Sequence, residues 1–129
     1  MVVKSAVGLV SDAKEKIENL SVDQVVDEVK GGAILVDVRD AEERDRAGYI
    51  PGAVHASRGM LEFYADPALP QHKRELDPDA RVILHCASGG RSALAVITLR
   101  QMGYVDVAHL DGGFTAWKGA GQPVEGGSS

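Results

Sequence analysis

The sequence predicts an α/β domain with a mostly parallel sheet, because short apolar runs alternate with segments of helical spacing. The apolar runs are rich in β-branched residues, as in strands that are covered on both faces. With 129 residues, one cysteine and a net charge of −5, the chain suffices for one domain without a disulfide. It shows no secretory leader and no run of about 20 apolar residues, so we expect a cytoplasmic protein without nucleic-acid or membrane partners.

Two helices are predicted before the first clear strand. Apolar residues at helical spacing place the first helix between about residues 5 and 18. Ser21 and Gln24 have the spacing of a capping box and begin the second helix, which a pair of glycines ends. The run AILVDV at 33–38 follows directly and is the first predicted strand.

The middle of the chain gives shorter signals. Asp40 and Glu43 repeat the spacing of a capping box and predict a short third helix. Pro51 and Gly52 suit the two central positions of a type II turn, which leads into a brief strand in GAVHAS. The stretch 56–81 is polar, contains three prolines and is predicted to form a loop.

The second half of the chain alternates regularly between strand and helix signals. Strands are predicted at 81–86 (RVILHC) and 105–110 (VDVAHL), and helices at 92–102 and 112–120. The final residues, 125–129, are predicted to be a flexible tail.

The single cysteine, Cys86, lies at the carboxyl end of a predicted central strand, where ligands bind in open α/β sheets. Small residues follow it, and a helix is expected to begin near Arg91. Backbone amides of this segment, the helix N-terminus and the guanidinium all stabilise an anion, so we expect a lowered pKa for the Cys86 thiol. A cysteine that only fills the core needs neither a glycine-rich loop nor an arginine, which favours a reactive thiol over an inert one.

Four segments resemble, in order, blocks of the single-domain rhodaneses, the rhodanese-like sulfurtransferases: LVDVRD, AGYIPGAVHA, ILHCASGGRSALAV and LDGGFTAWKGAGQPV. The resemblance divides the chain into an N-terminal helical extension at 1–19, a rhodanese domain at 20–124 and the tail at 125–129. It implies a five-stranded, mostly parallel sheet flanked by helices on both faces. It also implies a thiosulfate sulfurtransferase-type enzyme whose catalytic cysteine cycles through a persulfide.

The resemblance assigns site residues one by one. Cys86 is implied as the nucleophile, and Arg58 and Arg91 as binders of an anionic donor. The loop residues implied to surround the outer sulfur are Ala87, Ser88, Gly89, Gly90 and Arg91. The sulfane sulfur is implied to pass from thiosulfate or another persulfide to cyanide, a thiol or a protein acceptor, with no cofactor. From the residues alone, Arg91 also fits a salt bridge that pins the loop, and both of its roles can hold together. Arg58 fits a solvated surface arginine as well as it fits a binding role.

The remaining conspicuous residues are predicted to be structural. Asp37 and Arg39 are expected to tie loops together at the strand ends. Strand alternation points His85 away from the thiolate, and His109 lacks partners at metal-ligand spacing, so no metal site is predicted. Trp117 is expected in the core.

Two other functions stay open. One is an oxyanion enzyme of the same fold, a phosphatase or an arsenate reductase, but these use five residues between cysteine and arginine, whereas four separate Cys86 from Arg91. The other is a non-catalytic interaction module, although such modules usually lack the cysteine.

Two departures from the family pattern are Tyr49, where histidine is common, and the low positive charge of the loop. The second departure favours a persulfide over thiosulfate as the physiological donor.

Overall fold

The computed structural model describes residues 2–128. Its helices are α1 (Ala6–Lys16), α2 (Val22–Lys30), α3 (Ala41–Ala47), α4 (Leu61–Tyr64), α5 (Gly90–Gln101) and α6 (Gly113–Gly119), with a 3₁₀ turn at Arg58–Met60 before α4. Its strands are β1 (Glu18–Leu20), β2 (Ile34–Asp37), β3 (Val54–His55), β4 (Val82–His85) and β5 (Val107–Leu110).

The five strands form one sheet of order β1-β5-β4-β2-β3, and every neighbouring pair is parallel. Parallel neighbours need crossover connections, and the helices between the strands provide them. Side chains of α2 and α6 pack on one face of the sheet, and those of α4 and α5 pack on the other. Helix α1 packs on α5. The predicted five-stranded sheet with helices on both faces is therefore confirmed.

The start of the chain differs from its prediction at one strand. Helix α1 ends at Lys16, two residues before the expected limit, because the chain then becomes β1 and pairs with β5. Strand β1 has only three residues, and two of them are exposed, so its sequence has no apolar alternation to detect. The capping box of Ser21 and Gln24 is present at the start of α2, as predicted.

The segment 56–81 is not the polar loop that its composition predicts. It contains the 3₁₀ turn and α4, and it buries Leu61, Ala65 and Leu76 completely. The hydroxyl of Tyr104 donates to the carbonyl oxygens of Ala65 and Leu76, at 2.8 and 2.9 Å. These three apolar residues cover the α5 side of the core. They are spaced too widely and irregularly for a helical or strand pattern to predict their burial.

The described part of the predicted tail lies against the connection between α3 and β3. Glu125 and Tyr49 exchange two backbone hydrogen bonds of 2.9 Å, and the N–H of Ser128 donates to the carbonyl of Arg46. Ser129 of the tail and Met1 of the N-terminal extension lie outside the described residues. Within 2–128, no helix is both long and apolar enough to cross a membrane.

Candidate active site

The loop after β4 is short because α5 begins at Gly90, only four residues beyond Cys86. The residue that caps this helix, Gly89, has a φ of 111°, a conformation that a residue with a Cβ adopts only under strain. A Cβ there would also stand 3.4 Å from the backbone nitrogen of Gly112. Glycine at 89 therefore allows the chain to turn sharply around the sulfur.

Three polar groups surround the Cys86 sulfur. The N–H groups of Gly89 and Ser92 point at Sγ from 3.2 and 3.4 Å, and the Ser92 hydroxyl oxygen lies 3.5 Å away. The cysteine is almost fully buried, with 1% of its surface exposed. This arrangement provides hydrogen-bond donors to a sulfur anion in place of water.

These contacts set the protonation of the thiol. Burial raises the pKa of Cys86, but hydrogen bonds with the Ser92 side chain and with the N–H groups of Ser92, Gly89 and Ser88 lower it by more. The pKa of Cys86 therefore lies below its ordinary value, as the sequence predicts.

Helix α6 holds the loop in this conformation. The N–H of Phe114 donates to the carbonyl of Cys86 at 2.8 Å, and the N–H of Thr115 donates to that of Ala87 at 3.0 Å. A Cβ on Gly113 would stand 2.5 Å from the Cys86 carbonyl oxygen, so only glycine permits this approach. The first turn of α6 thus engages the loop carbonyls and leaves the loop amides to face the sulfur.

The Arg91 side chain is paired with a carboxylate of α3. Its guanidinium forms two hydrogen bonds with Glu43, of 2.7 and 2.9 Å, and Glu43 also accepts from the N–H of Asp40 at 2.9 Å. The hydrogen bonds from Arg91 lower the pKa of the Glu43 carboxyl to about 2, although partial burial opposes them. Arg91 therefore forms the salt bridge that its sequence position suggests, with Glu43 as the partner, and donor binding by Arg91 stays a prediction.

The structure does not bring the Arg58 side chain to the loop. Its guanidinium bonds to the carboxylate of Glu62 at 2.9 Å and to the hydroxyl of Thr98 at 3.1 Å. Thr98 lies eight residues along α5 from Gly90, which corresponds to roughly 12 Å at the rise of an α-helix. Donor binding by Arg58 stays a prediction.

A buried ionic cluster lies at the carboxyl ends of β2 and β4, beneath the loop. Arg39 forms a bidentate pair with Asp37, donates to the carbonyl of Gly48 at 2.8 Å and lies 4.2 Å from the ring centroid of Phe114. His85 stacks on the same ring, on the face of the sheet opposite Cys86. Burial lowers the pKa of His85, so it is neutral near pH 7. The predicted structural roles of these residues agree with this packing, and Trp117 is buried as expected.

A shallow cavity of about 320 Å³ adjoins the loop. Helix α1 forms one wall, which is mostly apolar, and the loop forms the other. Its lining residues are Ala6, Val7, Val10, Lys14, Ser88 and Gly90. The ammonium of Lys14 is paired with Asp111 at 3.0 Å, so the cavity offers little free positive charge. Across residues 2–128, no three His, Cys, Asp or Glu side chains are grouped as a metal site requires.

Sequence reasoning missed three contributors to the site: Glu43, Ser92 and Gly113. The capping-box spacing identified Glu43 only as a helix cap, although an acidic partner for Arg91 was expected. Ser92 directly follows Arg91, and its place in the first turn of the helix was the available signal. The sequence assigns the Gly112–Gly113 pair only to the start of a helix, whereas in the structure both glycines have positive φ.

The ion pair of Glu43 and Arg91 gives a prediction for stability. The folded-state pKa of Glu43 is depressed, so its contribution is complete above the unfolded value of about 4.3 and is lost as the pH falls toward about 2. We expect Glu43→Gln to lower the free energy of unfolding at pH 7 by about 1–2 kcal/mol, because Arg91 is partly exposed and solvent screens the pair. Urea denaturation between pH 2.5 and 7 measures the difference.

Glu42→Gln is the matched control, since Glu42 is an exposed residue of the same helix. It should change stability by less than about 0.5 kcal/mol at every pH. A difference between Glu43→Gln and the unmodified chain that persists unchanged at pH 2.5 would contradict the ion-pair explanation.

Comparisons with known proteins agree with this fold. A family model described as Rhodanese-like domain matches residues 13–120, which include β1 and the loop after β4. The thiosulfate sulfurtransferase GlpE of Pseudomonas fluorescens (strain SBW25) is 37% identical over 87 residues, 67% of this chain and 72% of that protein.

Two solved structures extend the similarity over nearly the whole chain. A protein of unknown function from Rhodopseudomonas palustris CGA009, named a possible tyrosine phosphatase, has a TM-score of 0.89 and 39% identity and covers 97% of both chains. The polysulfide-sulfur transferase homodimer of Wolinella succinogenes has a TM-score of 0.75 and 30% identity, over 93% of this chain and 86% of that one.

Proposed function

Because the chain belongs to the rhodanese-like domain family, we propose that it is a sulfurtransferase in which Cys86 carries sulfane sulfur as a persulfide. The observation that carries the proposal is the setting of the chain's only thiol. It is buried at the carboxyl end of β4, the central strand of the sheet. Two N–H groups and a hydroxyl surround its sulfur. The 37% identity with a thiosulfate sulfurtransferase supports the same reaction class.

In the first half-reaction, the Cys86 thiolate attacks the sulfane sulfur of the donor. With thiosulfate, the new S–S bond forms as the bond between the two thiosulfate sulfurs breaks, and sulfite leaves with that electron pair. In the second half-reaction, cyanide or a thiolate attacks the outer sulfur, and the Cys86 thiolate leaves. The oxidation level of the protein is restored, so no cofactor is required.

The loop contributes chiefly by stabilising negative charge. The N–H groups of Gly89 and Ser92 face the sulfur, and the N-terminus of α5 adds the positive end of its dipole. Because these groups are fixed by α6 and by the Glu43–Arg91 pair, little reorganisation is needed when the charge moves between the inner and outer sulfur.

The charges around the loop favour a persulfide over thiosulfate as the physiological donor. Each arginine expected to bind an anion is engaged by a carboxylate, Arg91 by Glu43 and Arg58 by Glu62. The adjoining cavity is mostly apolar. A small-molecule or protein persulfide carries less charge at the reacting end than the thiosulfate dianion and suits this surface better. We propose a thiol, on a small molecule or on a protein, as the acceptor.

The second candidate is a phosphatase, which the name of the R. palustris protein favours. The loop geometry opposes it for this chain. Only four residues separate Cys86 from Arg91, and the Arg91 guanidinium is already bidentate with Glu43. A phosphoryl group requires more amides around its equatorial oxygens and an arginine that is available to bind them.

Parallel assays distinguish the two candidates. We expect thiocyanate to form from thiosulfate and cyanide, with hydrolysis of p-nitrophenyl phosphate no faster than in buffer. Both reactions can be followed by absorbance on one protein sample. Hydrolysis of the aryl phosphate without thiocyanate formation would reverse the assignment.

A further inference from the structure

A line of hydrogen bonds leads away from the Cys86 sulfur through two buried side chains. The Ser92 hydroxyl lies 3.5 Å from Sγ and 2.9 Å from Nδ1 of His109. The opposite ring nitrogen of His109, Nε2, lies 2.7 Å from Oδ1 of Asn19. Ser92 and His109 are completely buried, whereas Asn19 lies on the edge strand β1. Asn19 and His109 are direct neighbours in the parallel pairing of β1 with β5, so the sheet itself fixes their contact.

The direction of each hydrogen bond follows from Asn19. Its amide nitrogen donates to the carbonyls of Lys14 and Ile17, at 2.9 and 3.2 Å, so its oxygen faces His109 and can only accept. The hydrogen on the imidazole must therefore be on Nε2, which leaves Nδ1 as an acceptor. Consequently the Ser92 hydroxyl donates to Nδ1, and its lone pairs face the Cys86 thiol, whose hydrogen points at Ser92 Oγ.

We propose that Ser92 and His109 form a proton relay that deprotonates Cys86. Asn19 is the positioning residue, because it fixes the His109 tautomer whose Nδ1 can accept a proton. The relay rests on the proposed role of Cys86 as a nucleophile. In the step, the S–H bond breaks and its proton passes to Ser92 Oγ, while the Ser92 proton passes to Nδ1 of His109. The products are a Cys86 thiolate, a His109 imidazolium and a Ser92 hydroxyl that now donates to the sulfur. One proton moves along the line, and the net charge is unchanged.

The surroundings of His109 keep its ring unprotonated in the resting protein. Burial lowers the pKa of His109 to about 4, so its Nδ1 is free to accept near pH 7. The charged groups that face it are Asp111, which raises this pKa, and Lys14, which lowers it, and these two are paired at 3.0 Å. The thiolate formed in the same step is the charge that stabilises the imidazolium. Cys86 and His109 are therefore expected to titrate as a coupled pair.

The first test is the rate of Cys86 alkylation by iodoacetamide as a function of pH. We expect the unmodified chain to show a midpoint below the ~8.5 of a free cysteine. His109→Asn retains an amide oxygen that can orient the Ser92 hydroxyl but cannot take up a proton. We expect it to raise the midpoint by about one pH unit and to slow alkylation at pH 7 by about 10-fold. Ser92→Ala should shift the profile in the same direction.

His55→Asn is the matched control, because His55 is also a strand histidine but contacts the carbonyl of Arg39 instead of the Cys86 loop. Its profile should match that of the unmodified chain. A midpoint in His109→Asn that equals that of the control would overturn the relay, since a packing role alone does not change the titration of the thiol.

A second measurement requires no substitution and applies even if a variant fails to fold. The ¹⁵N chemical shifts of the His109 ring are recorded near pH 7 before and after Cys86 is blocked with iodoacetamide. We expect a neutral ring with hydrogen on Nε2 both before and after blocking, because burial keeps His109 unprotonated at rest and Asn19 accepts the Nε2 hydrogen. Hydrogen on Nδ1 in the free protein would overturn the relay, because that tautomer cannot accept the Ser92 proton.

The relay and the proposed function can fail separately. Sulfur uptake by Cys86 together with an unchanged alkylation profile in His109→Asn would overturn the relay alone. A shifted profile in a protein that never accepts sulfur would support the relay and overturn the sulfurtransferase proposal.

Discussion

Cys86→Ser is expected to abolish sulfur transfer. In the unmodified chain, thiosulfate should add the mass of one sulfur atom, and cyanide should then remove it. The serine variant should show neither change, because an oxygen in place of Sγ cannot form the persulfide. We expect turnover with thiosulfate and cyanide to fall by about 10⁴- to 10⁶-fold, the range found when an enzyme loses its covalent nucleophile. Intact-protein mass spectrometry and thiocyanate formation measure the two effects.

Cys86→Ala is the companion variant, since it removes the nucleophile without leaving a hydroxyl beside Ser92. Cys86→Ser keeps an acceptor for the N–H groups of Gly89 and Ser92, whereas Cys86→Ala leaves them without one, at a cost of about 1–3 kcal/mol; both variants should still fold. Circular dichroism checks this point. Sulfur transfer that survives in a folded Cys86→Ser or Cys86→Ala protein would show that the reaction does not use this cysteine.

Lengthening the loop by one residue is expected to produce the second large effect. A glycine inserted between Ser88 and Gly89 displaces the N–H of Gly89 from its position 3.2 Å from Sγ, while α6 continues to hold the carbonyls of Cys86 and Ala87. An amide that loses its contact with a charged sulfur costs about 1.5–3 kcal/mol, so sulfur transfer should fall by about 10- to 100-fold. The wider loop should in return admit an oxyanion, detected as protection of Cys86 from alkylation by arsenate.

The control is a glycine inserted between Gly31 and Gly32, in the turn between α2 and β2, where a Cβ on Gly32 meets no atom within 4 Å. That protein should retain its sulfur transfer. If the insertion after Ser88 leaves sulfur transfer at the level of this control, then loop length does not determine the chemistry of the site.

The elements that sequence reasoning found are those whose signals are local. The Ser21–Gln24 capping box, the apolar runs of β2, β4 and β5, and the turn at Gly52 each depend on neighbours a few positions away. Strand β1 depends instead on β5, about 90 residues further along the chain. Its three residues form a strand because the sheet has an open edge there, and no local pattern records that edge.

The same distinction explains what could be predicted of the site. Cys86 and its loop are contiguous, so the small residues and the following helix already indicated an anion-stabilising turn. The partners of that loop come from elsewhere in the chain. Glu43 is 48 residues from Arg91, and Asn19 is 90 residues from His109. Residue type alone gives no reason to join them, and for His109 the sequence predicts only a structural role.

The position of Asn19 has a consequence for how relatives of this chain are compared. Residues 2–20 contribute an edge strand, the hydrogen-bond partner of the His109 ring and, through Lys14 and α1, one wall of the cavity beside the loop. They thus form part of the surroundings of the Cys86 loop. Two family members with identical cysteine loops but unrelated N-terminal segments would differ in one wall of the cavity beside the loop. If the proposed donor enters through this cavity, exchanging the N-terminal segment between relatives should change which donors react with Cys86.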